Sequence, residues 1–283
     1  MKTTHAVVVR KRTWLVLLIG SLAGLVMFLW PLFTSPHAGT AHSAEAPFVF
    51  VLILPLVIAV ILAELSTGGL DVKAIAMLGL LSGVGAALRP LGAGVAGIET
   101  ITFLLILAAR VYGPGFGFVL GSTTMFASAL LTGGVGPWLP FQMMASSWIG
   151  LGAGLLPKAE GRREITMLAI YGVISAYVFG FLMNMWFWPF SVGTLVGAGG
   201  KPGLQFVPGD AVTSNLHRFF LFTLATSTFG WDTGRAITCV IAILTLGVPV
   251  LAALRRARRR VAFRPEIAFE PVGAALGAEP AIR

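Results

Sequence analysis

Charge is what this chain of 283 residues has least of: 11% of its residues are charged, 57% are apolar or aromatic, and the mean hydropathy is +0.90. A soluble domain carries about 25% charged residues, which cover most of its wet surface. The shortage excludes a soluble enzyme, a disordered chain and a DNA-binding domain, and it implies a multi-span helical membrane protein. Cysteine is nearly missing as well. Cys239 stands alone, which excludes a disulfide framework and any cysteine-based zinc or iron–sulfur site. A pI near 10.6 would point to nucleic acid in a soluble protein. In a membrane protein such basicity reflects orientation, so no nucleic-acid partner is expected.

The devices of catalysis and energy coupling are also lacking. The histidines are His5, His37, His42 and His217, and none has a His-Glu-x-x-His or comparable spacing. His37 and His42 share one loop, where an ordinary loop role outweighs metal binding. Gly200 and Lys201 are followed by Pro202, and position 195 is Leu, so there is no phosphate-binding loop for ATP. No chain of Asp, Glu and His crosses the apolar spans, and a proton-driven carrier would need such a relay. The chain is therefore expected to be no enzyme and to hold no metal or cofactor of its own.

What charge there is falls in clusters, and the gaps between clusters outline the spans. The longest gap runs from Val111 to Pro157, enough for two helices and a turn, since one crossing takes about 20 residues. Eight spans are predicted, near 14–33, 48–65, 74–88, 98–112, 115–131, 140–156, 165–188 and 233–253. With a cytoplasmic N-terminus, sixteen of the twenty Lys and Arg residues face inward. Only Arg89, Lys201, Arg218 and Arg235 face out. That bias places the chain in the cytoplasmic membrane with both termini inside. Arg255, Arg256, Arg258, Arg259 and Arg260 read as a stop-transfer anchor, with contact to membrane lipid head groups or a partner as the alternative. The basic N-terminal residues and the long apolar core after them read as a retained anchor rather than a cleaved signal. The resulting layout is a basic tail (1–13), an N-terminal transmembrane hairpin (14–66), a membrane core (67–254) and a basic anchor with a disordered tail (255–283). The segment 189–232 is the longest non-spanning one. It becomes amphipathic from Asp210 to Phe229, as for a short helix on the outer surface or capping a cavity.

Polar groups within or beside the spans are costly and therefore informative. Glu64 and Glu99 lie at span ends, and Glu99, near Arg89, is the better candidate for a cavity wall. Gln142 follows Gly136-Pro137-Trp138-Leu139-Pro140 at a helix entrance. Trp186 and Trp188 suit an aromatic belt, but Asn184 lies about a turn deeper, where an unpaired amide is expensive. Asp232 and Arg235 are three apart on one helix and form an ion pair at the outer mouth. These groups share the outer ends of the last three spans. Aromatics with a few amides and charges are the composition of a small-molecule site. The candidate substrate-binding residues are Glu99, Trp138, Gln142, Asn184, Trp186, Asn215, Arg218, Asp232 and Arg235, and the expected ligand is vitamin-sized and partly aromatic. Small residues repeat every four positions at Gly79, Gly83 and Ala87, and again at Gly117 and Gly121. Such stripes serve internal packing or docking of another membrane subunit.

From about Gly79 to Ala262 the chain resembles the substrate-specific S component of an energy-coupling factor (ECF) transporter. The matching stretches are Arg110-Val-Tyr-Gly-Pro-Gly-Phe-Gly-Phe118, Ala129-Leu-Leu-Thr-Gly-Gly-Val-Gly-Pro-Trp-Leu-Pro-Phe-Gln-Met143, Gly150-Leu-Gly-Ala-Gly-Leu-Leu-Pro157, Leu182-Met-Asn-Met-Trp-Phe-Trp-Pro-Phe190 and Gly230-Trp-Asp-Thr-Gly-Arg-Ala236. The string from Gly136 to Met143 is the most distinctive.

The resemblance implies an all-α, six-helix membrane protein that binds a vitamin or related micronutrient at its outer side. It implies partners too: a transmembrane coupling (T) subunit and two ATPase subunits, which use the ATP. In the family picture the S component topples within the membrane to release its substrate inward. The first three family helices, here 74–88, 98–112 and 115–131, would face the coupling subunit, and Gly79, Gly83, Ala87, Gly117 and Gly121 lie on them. The chain departs from the pattern by two extra helices in front. The cobalt and nickel branch carries a His directly after the first Met; Lys2 stands there, which disfavours a metal substrate. Cobalamin-, thiamin- and riboflavin-like ligands all suit the pocket composition. Two other readings stay open at this point. A self-sufficient secondary carrier has the missing relay and the lack of an internal repeat against it. A non-transporting scaffold would have its outer cavity filled by side chains.

Overall fold

The computed structural model describes residues 11–33, 55–56, 58–63, 72–92, 97–190 and 203–262. It is 86% helical with no strand among the described residues. Eight helices are α1 (Lys11–Phe28), α2 (Val72–Leu88), α3 (Thr102–Tyr112), α4 (Pro114–Thr132), α5 (Leu139–Leu155), α6 (Gly161–Phe187), α7 (Val212–Thr223) and α8 (Thr233–Ala262). Residues 58–63 are helical as well, within the predicted span 48–65. His5, His37, His42, Glu64, Lys201 and the tail beyond 262 lie outside the described residues.

Five helical stretches are long and apolar enough to cross a membrane: Lys11–Phe28, Lys73–Leu91, Pro114–Thr132, Gly161–Phe187 and Val212–Arg259. Their outward faces are apolar. Leu18, Ile19 and Leu22 of α1, Ile170 and Ile174 of α6, and Ile237, Ile241 and Leu244 of α8 are all exposed. A patch of that size would aggregate in water and is at rest only in lipid. This is an all-α integral membrane protein.

Helix α3 is 11 residues long, about 16 Å at 1.5 Å per residue, which is half a hydrocarbon core. The charge gaps predicted a span from 98; the helix begins at 102. It is buried on every side save at Arg110, because α4, α5, α6 and α8 all pack against it. A helix apolar all round belongs in such a centre. The chain leaves α3 through Gly113, whose φ of 100° suits glycine, and Pro114 then starts α4.

Helices α4 and α5 form the most extensive pair. A Cβ at Gly117 would meet the carbonyl of Gly150, and a Cβ at Gly150 would meet that of Gly117. Gly121 sits likewise against the Ser146 backbone. Between them, the Ser122 and Ser147 hydroxyls share a buried 2.7 Å hydrogen bond. The stripe at Gly117 and Gly121 therefore serves internal packing. The expectation that it faces a coupling subunit is corrected here, because α5 already occupies that face.

Helix α1 is packed into this core. Trp148 Nε1 donates to Ser21 Oγ at 2.9 Å, and the Phe28 ring meets Phe141 edge-on at 5.0 Å. A second difference concerns residues 210–229. A short helix on the outer surface or capping a cavity was expected; the short helix is α7, but it runs through a π-helical segment, Leu224–Asp232, directly into α8. The continuous stretch Val212–Arg259 has 48 residues, about 72 Å and far longer than the roughly 30 Å of hydrocarbon. Part of it must project beyond the slab or lie strongly tilted.

Candidate functional site

The π-helical segment is where the site is built. Its wider turn is held by hydroxyls: Thr228 Oγ1 donates to the Thr223 carbonyl and Thr233 Oγ1 to the Thr228 carbonyl, each across five residues. π-segments inside helices are rare and concentrate at functional sites. This one brings Thr226, Ser227, Trp231 and Asp232 against the C-terminal half of α6. There, with Gly180, Met183, Asn184, Phe187, Phe222 and Arg235, they line a cleft of about 350 Å³. Gly180 is a requirement of the approach, because a Cβ there would overlap the Asp232 carboxylate.

Charge in the cleft is tightly ordered. Asp232 is 2% exposed and accepts from Ser227 Oγ at 2.6 Å and from Arg235 Nη1 at 2.9 Å. Arg235 Nε donates to Glu99 Oε2 at 2.5 Å, and Thr102 Oγ1 donates to the other Glu99 oxygen. The guanidinium also lies 4.8 Å from the Phe179 ring centroid, a cation–π geometry. One arginine thus ties α8 to the turn before α3 and holds two carboxylates. Its Nη2 takes no partner among the described residues. The Nδ2 of Asn184 is buried and likewise has none. An orphaned buried amide in a cleft wall is costly unless something else satisfies it. The buried orphan in the cleft lining, Asn184 Nδ2, is a donor.

The remaining expected residues go elsewhere. Arg89 donates to Gln142 Oε1 at 3.1 Å and to Ser128 Oγ at 3.4 Å, joining α2, α4 and α5 at the same end of the bundle. Gln142 does not line the cleft. Trp138 is half-exposed, with Nε1 on the Gly134 carbonyl, closing its own turn. Trp186 is stacked on Phe141, 4.6 Å between centroids and 5° between planes, in the hydrophobic core. Two residues beyond Asn184 is a turn of about 200°, so the two side chains leave α6 on opposite faces. Asn215 is buried and exchanges hydrogen bonds with both backbone groups of Val207. Arg218 pairs with Asp210 at 2.6 Å and donates to Asn215. Asn215 and Arg218 thus clamp the preceding loop onto α7. The hydrogen bond from Arg218 holds the Asp210 carboxyl below its ordinary 3.8.

Of the expected nine, the structure brings Asn184, Asp232 and Arg235 together in one cleft wall and joins Glu99 to them through Arg235. Sequence reasoning missed Thr226, Ser227 and Phe187. The run Thr226-Ser227-Thr228 in an otherwise apolar stretch was the available signal for the hydroxyls.

The other stripe of small residues has a different setting. Gly79, Gly83 and Ala87 are exposed on α2, and a Cβ at either glycine would meet nothing within 4 Å. Exposed Ile75, Leu80 and Val84 flank this flat strip.

No significant match to the chain is found among curated proteins or among solved structures. A family model does match: "ECF transporter, substrate-specific component", over residues 73–244, more than half of the chain. The matched region begins with α2 and ends within α8, so it contains the cleft and all its charged residues. The chain belongs to the substrate-specific component family of ECF transporters.

Proposed function

We propose that this membrane subunit captures a vitamin-like micronutrient from outside in the cleft between α6 and the π-segment, and delivers it inward with energy from separate ATPase subunits. The observation that carries the reading is Asn184 Nδ2, a buried amide donor with no partner among the described residues, in a cleft it shares with the Arg235 guanidinium and the rings of Trp231 and Phe187. Free donors call for a ligand rich in acceptors, such as ring nitrogens or carbonyls on a flat heterocycle. A volume of about 350 Å³ is at the small end for ligand sites. That favours a thiamin- or riboflavin-sized molecule over one of cobalamin size.

Orientation follows the basic residues. Arg110, Lys158, Arg162, Arg163 and the arginines from 255 to 259 share one end of the bundle, and this end is assigned to the cytoplasm. The cleft then opens outward. A transmembrane coupling subunit docks on the exposed strip of Gly79, Gly83 and Ala87, where backbones can approach closely. This chain supplies specificity and its partners supply ATP hydrolysis.

The test is purification of the full chain in mild detergent, followed by mass spectrometry of the small molecules retained. Wild type should carry a nitrogen- or carbonyl-rich aromatic compound, and Asn184→Ala should lose it while eluting as a folded protein. Equal retention by Asn184→Ala and Asp232→Asn would reject the cleft as the site.

A further inference from the structure

The opposite end of α6 carries a second feature that substrate capture does not use. Glu164 is buried and fully engaged: it accepts from Arg110 Nε at 2.8 Å and from Arg255 Nη2 at 2.6 and 2.7 Å. Its neighbours Arg162 and Arg163 are exposed, and neither has a carboxylate partner among the described residues. Directly beyond them a groove of about 500 Å³ runs along α6, walled by Leu156, Met167, Ile170, Tyr171 and Ile174, with Thr166 near its head. The Tyr171 hydroxyl is committed to the Ile149 carbonyl, so its ring serves only as apolar wall.

We infer that this groove is a binding site for one anionic phospholipid, its phosphate on Arg162 and Arg163 and an acyl chain along Met167, Ile170 and Ile174. Two observations select this occupant. The first is polarity: two exposed guanidiniums with no carboxylate partner among the described residues at one end, and an almost wholly apolar wall beyond them, match a charged headgroup and its chain. Inorganic phosphate would use the arginines and leave the wall unexplained. The second is length. From Arg162 to Ile174 the helix rises about 18 Å, close to the roughly 15 Å of one leaflet. A partner helix would follow α6 along its whole 27 residues, whereas the groove stops near the middle. The inference uses the membrane-spanning character of α6 and not the identity of the transported solute.

Native mass spectrometry of the full chain, delipidated in detergent and exposed to phosphatidylglycerol, phosphatidylcholine or inorganic phosphate, tests the site. One phosphatidylglycerol adduct should persist on wild type and phosphatidylcholine should bind weakly. The double variant R162Q/R163Q should retain phosphatidylglycerol roughly 30-fold less well, the loss expected for two basic groups at a headgroup. Ile174→Trp, which fills the groove and keeps the arginines, should also lose the adduct, while R256Q/R259Q on α8 should keep it. Equal retention of the two lipids would overturn the inference. So would an equal loss in R256Q/R259Q, or displacement of the lipid by inorganic phosphate at matching concentration. Solute retention measured on the same samples keeps a failed lipid site distinct from a failed solute site.

Discussion

Arg235 and Glu99 are 136 positions apart and form a direct ion pair, with the same guanidinium also holding buried Asp232. The pairing locks α8 to the turn before α3 at the cleft wall. Glu99→Gln should keep the fold, since an amide still accepts one hydrogen bond, but weaken solute retention at least about tenfold by loosening Arg235. Arg235→Lys should be nearly as damaging, because an ammonium cannot serve both carboxylates with a planar fork. Isothermal titration with the co-purified ligand checks both; unchanged affinity in the pair would remove Arg235 from the binding machinery.

The two glycine stripes should separate cleanly. Gly117→Val forces α4 off α5 and should destabilise by at least about 1–3 kcal/mol, the usual range for overpacking. Gly79→Val meets open space and should leave detergent stability within about 0.5 kcal/mol. It should instead reduce co-purification with the coupling subunit. Thermal unfolding and pull-down of the complex give the two readouts, and a Gly79→Val that assembles normally would move the docking surface elsewhere.

Glu164 is 2% exposed between Arg110 and Arg255. Glu164→Ala leaves the largely enclosed Arg110 guanidinium, 11% exposed, with only the Leu156 and Ala159 carbonyls, and breaking a buried pair in this way costs up to about 3–5 kcal/mol. A clear drop in melting temperature, with solute affinity unchanged in the surviving folded protein, is expected. Loss of affinity at full stability would contradict the assignment of this cluster as a structural tie.

The clamp of the loop at 203–211 onto α7 should loosen in acid. The Asp210 carboxyl is held below 3.8 by Arg218, so its contribution is present above that value and lost as pH falls through its lowered folded pKa. The protection factor of the Val207 amide, the exchange rate corrected for its intrinsic pH dependence, should fall as pH drops below 3.8, and less so in Asp210→Asn, where the ionisation is already gone. A protection factor independent of pH in both proteins would show that Asn215 alone holds the loop.

Trp148 joins α1 to the core through Ser21. Trp148→Phe retains most of the aromatic packing and loses the hydrogen bond, an expected cost of about 1 kcal/mol. Ser21→Ala should cost about as much, and the double variant little more, because both remove the same bond. Additive losses in a thermal double-mutant cycle would indicate that the contact is not formed.

The amino-acid sequence by itself determined the helical membrane class, since 11% charge leaves no way to coat a water-facing surface. It also determined most helix positions, because a charge inside lipid is expensive wherever the chain goes. It named Asn184, Asp232, Arg235 and Glu99, for the same reason: polar groups beside apolar runs need partners. What periodicity could not decide is which partners they find. Trp186 and Asn184 are two positions apart and equally plausible from the sequence, yet only the packing of Phe141 against α6 sends one into the core and leaves the other on the cleft. Gly79 and Gly117 look alike as small-residue stripes, and only the position of α5 makes one a packing surface and the other an open one. The π-segment that widens α7 into α8 has no sequence signature strong enough to read, because its hydrogen bonds depend on where Asp232 is drawn. Local free energies of transfer are written residue by residue, whereas the cleft joins residues from Gly180 to Arg235 and is tied through Arg235 to Glu99, 136 positions away, distances which only the assembled bundle sets.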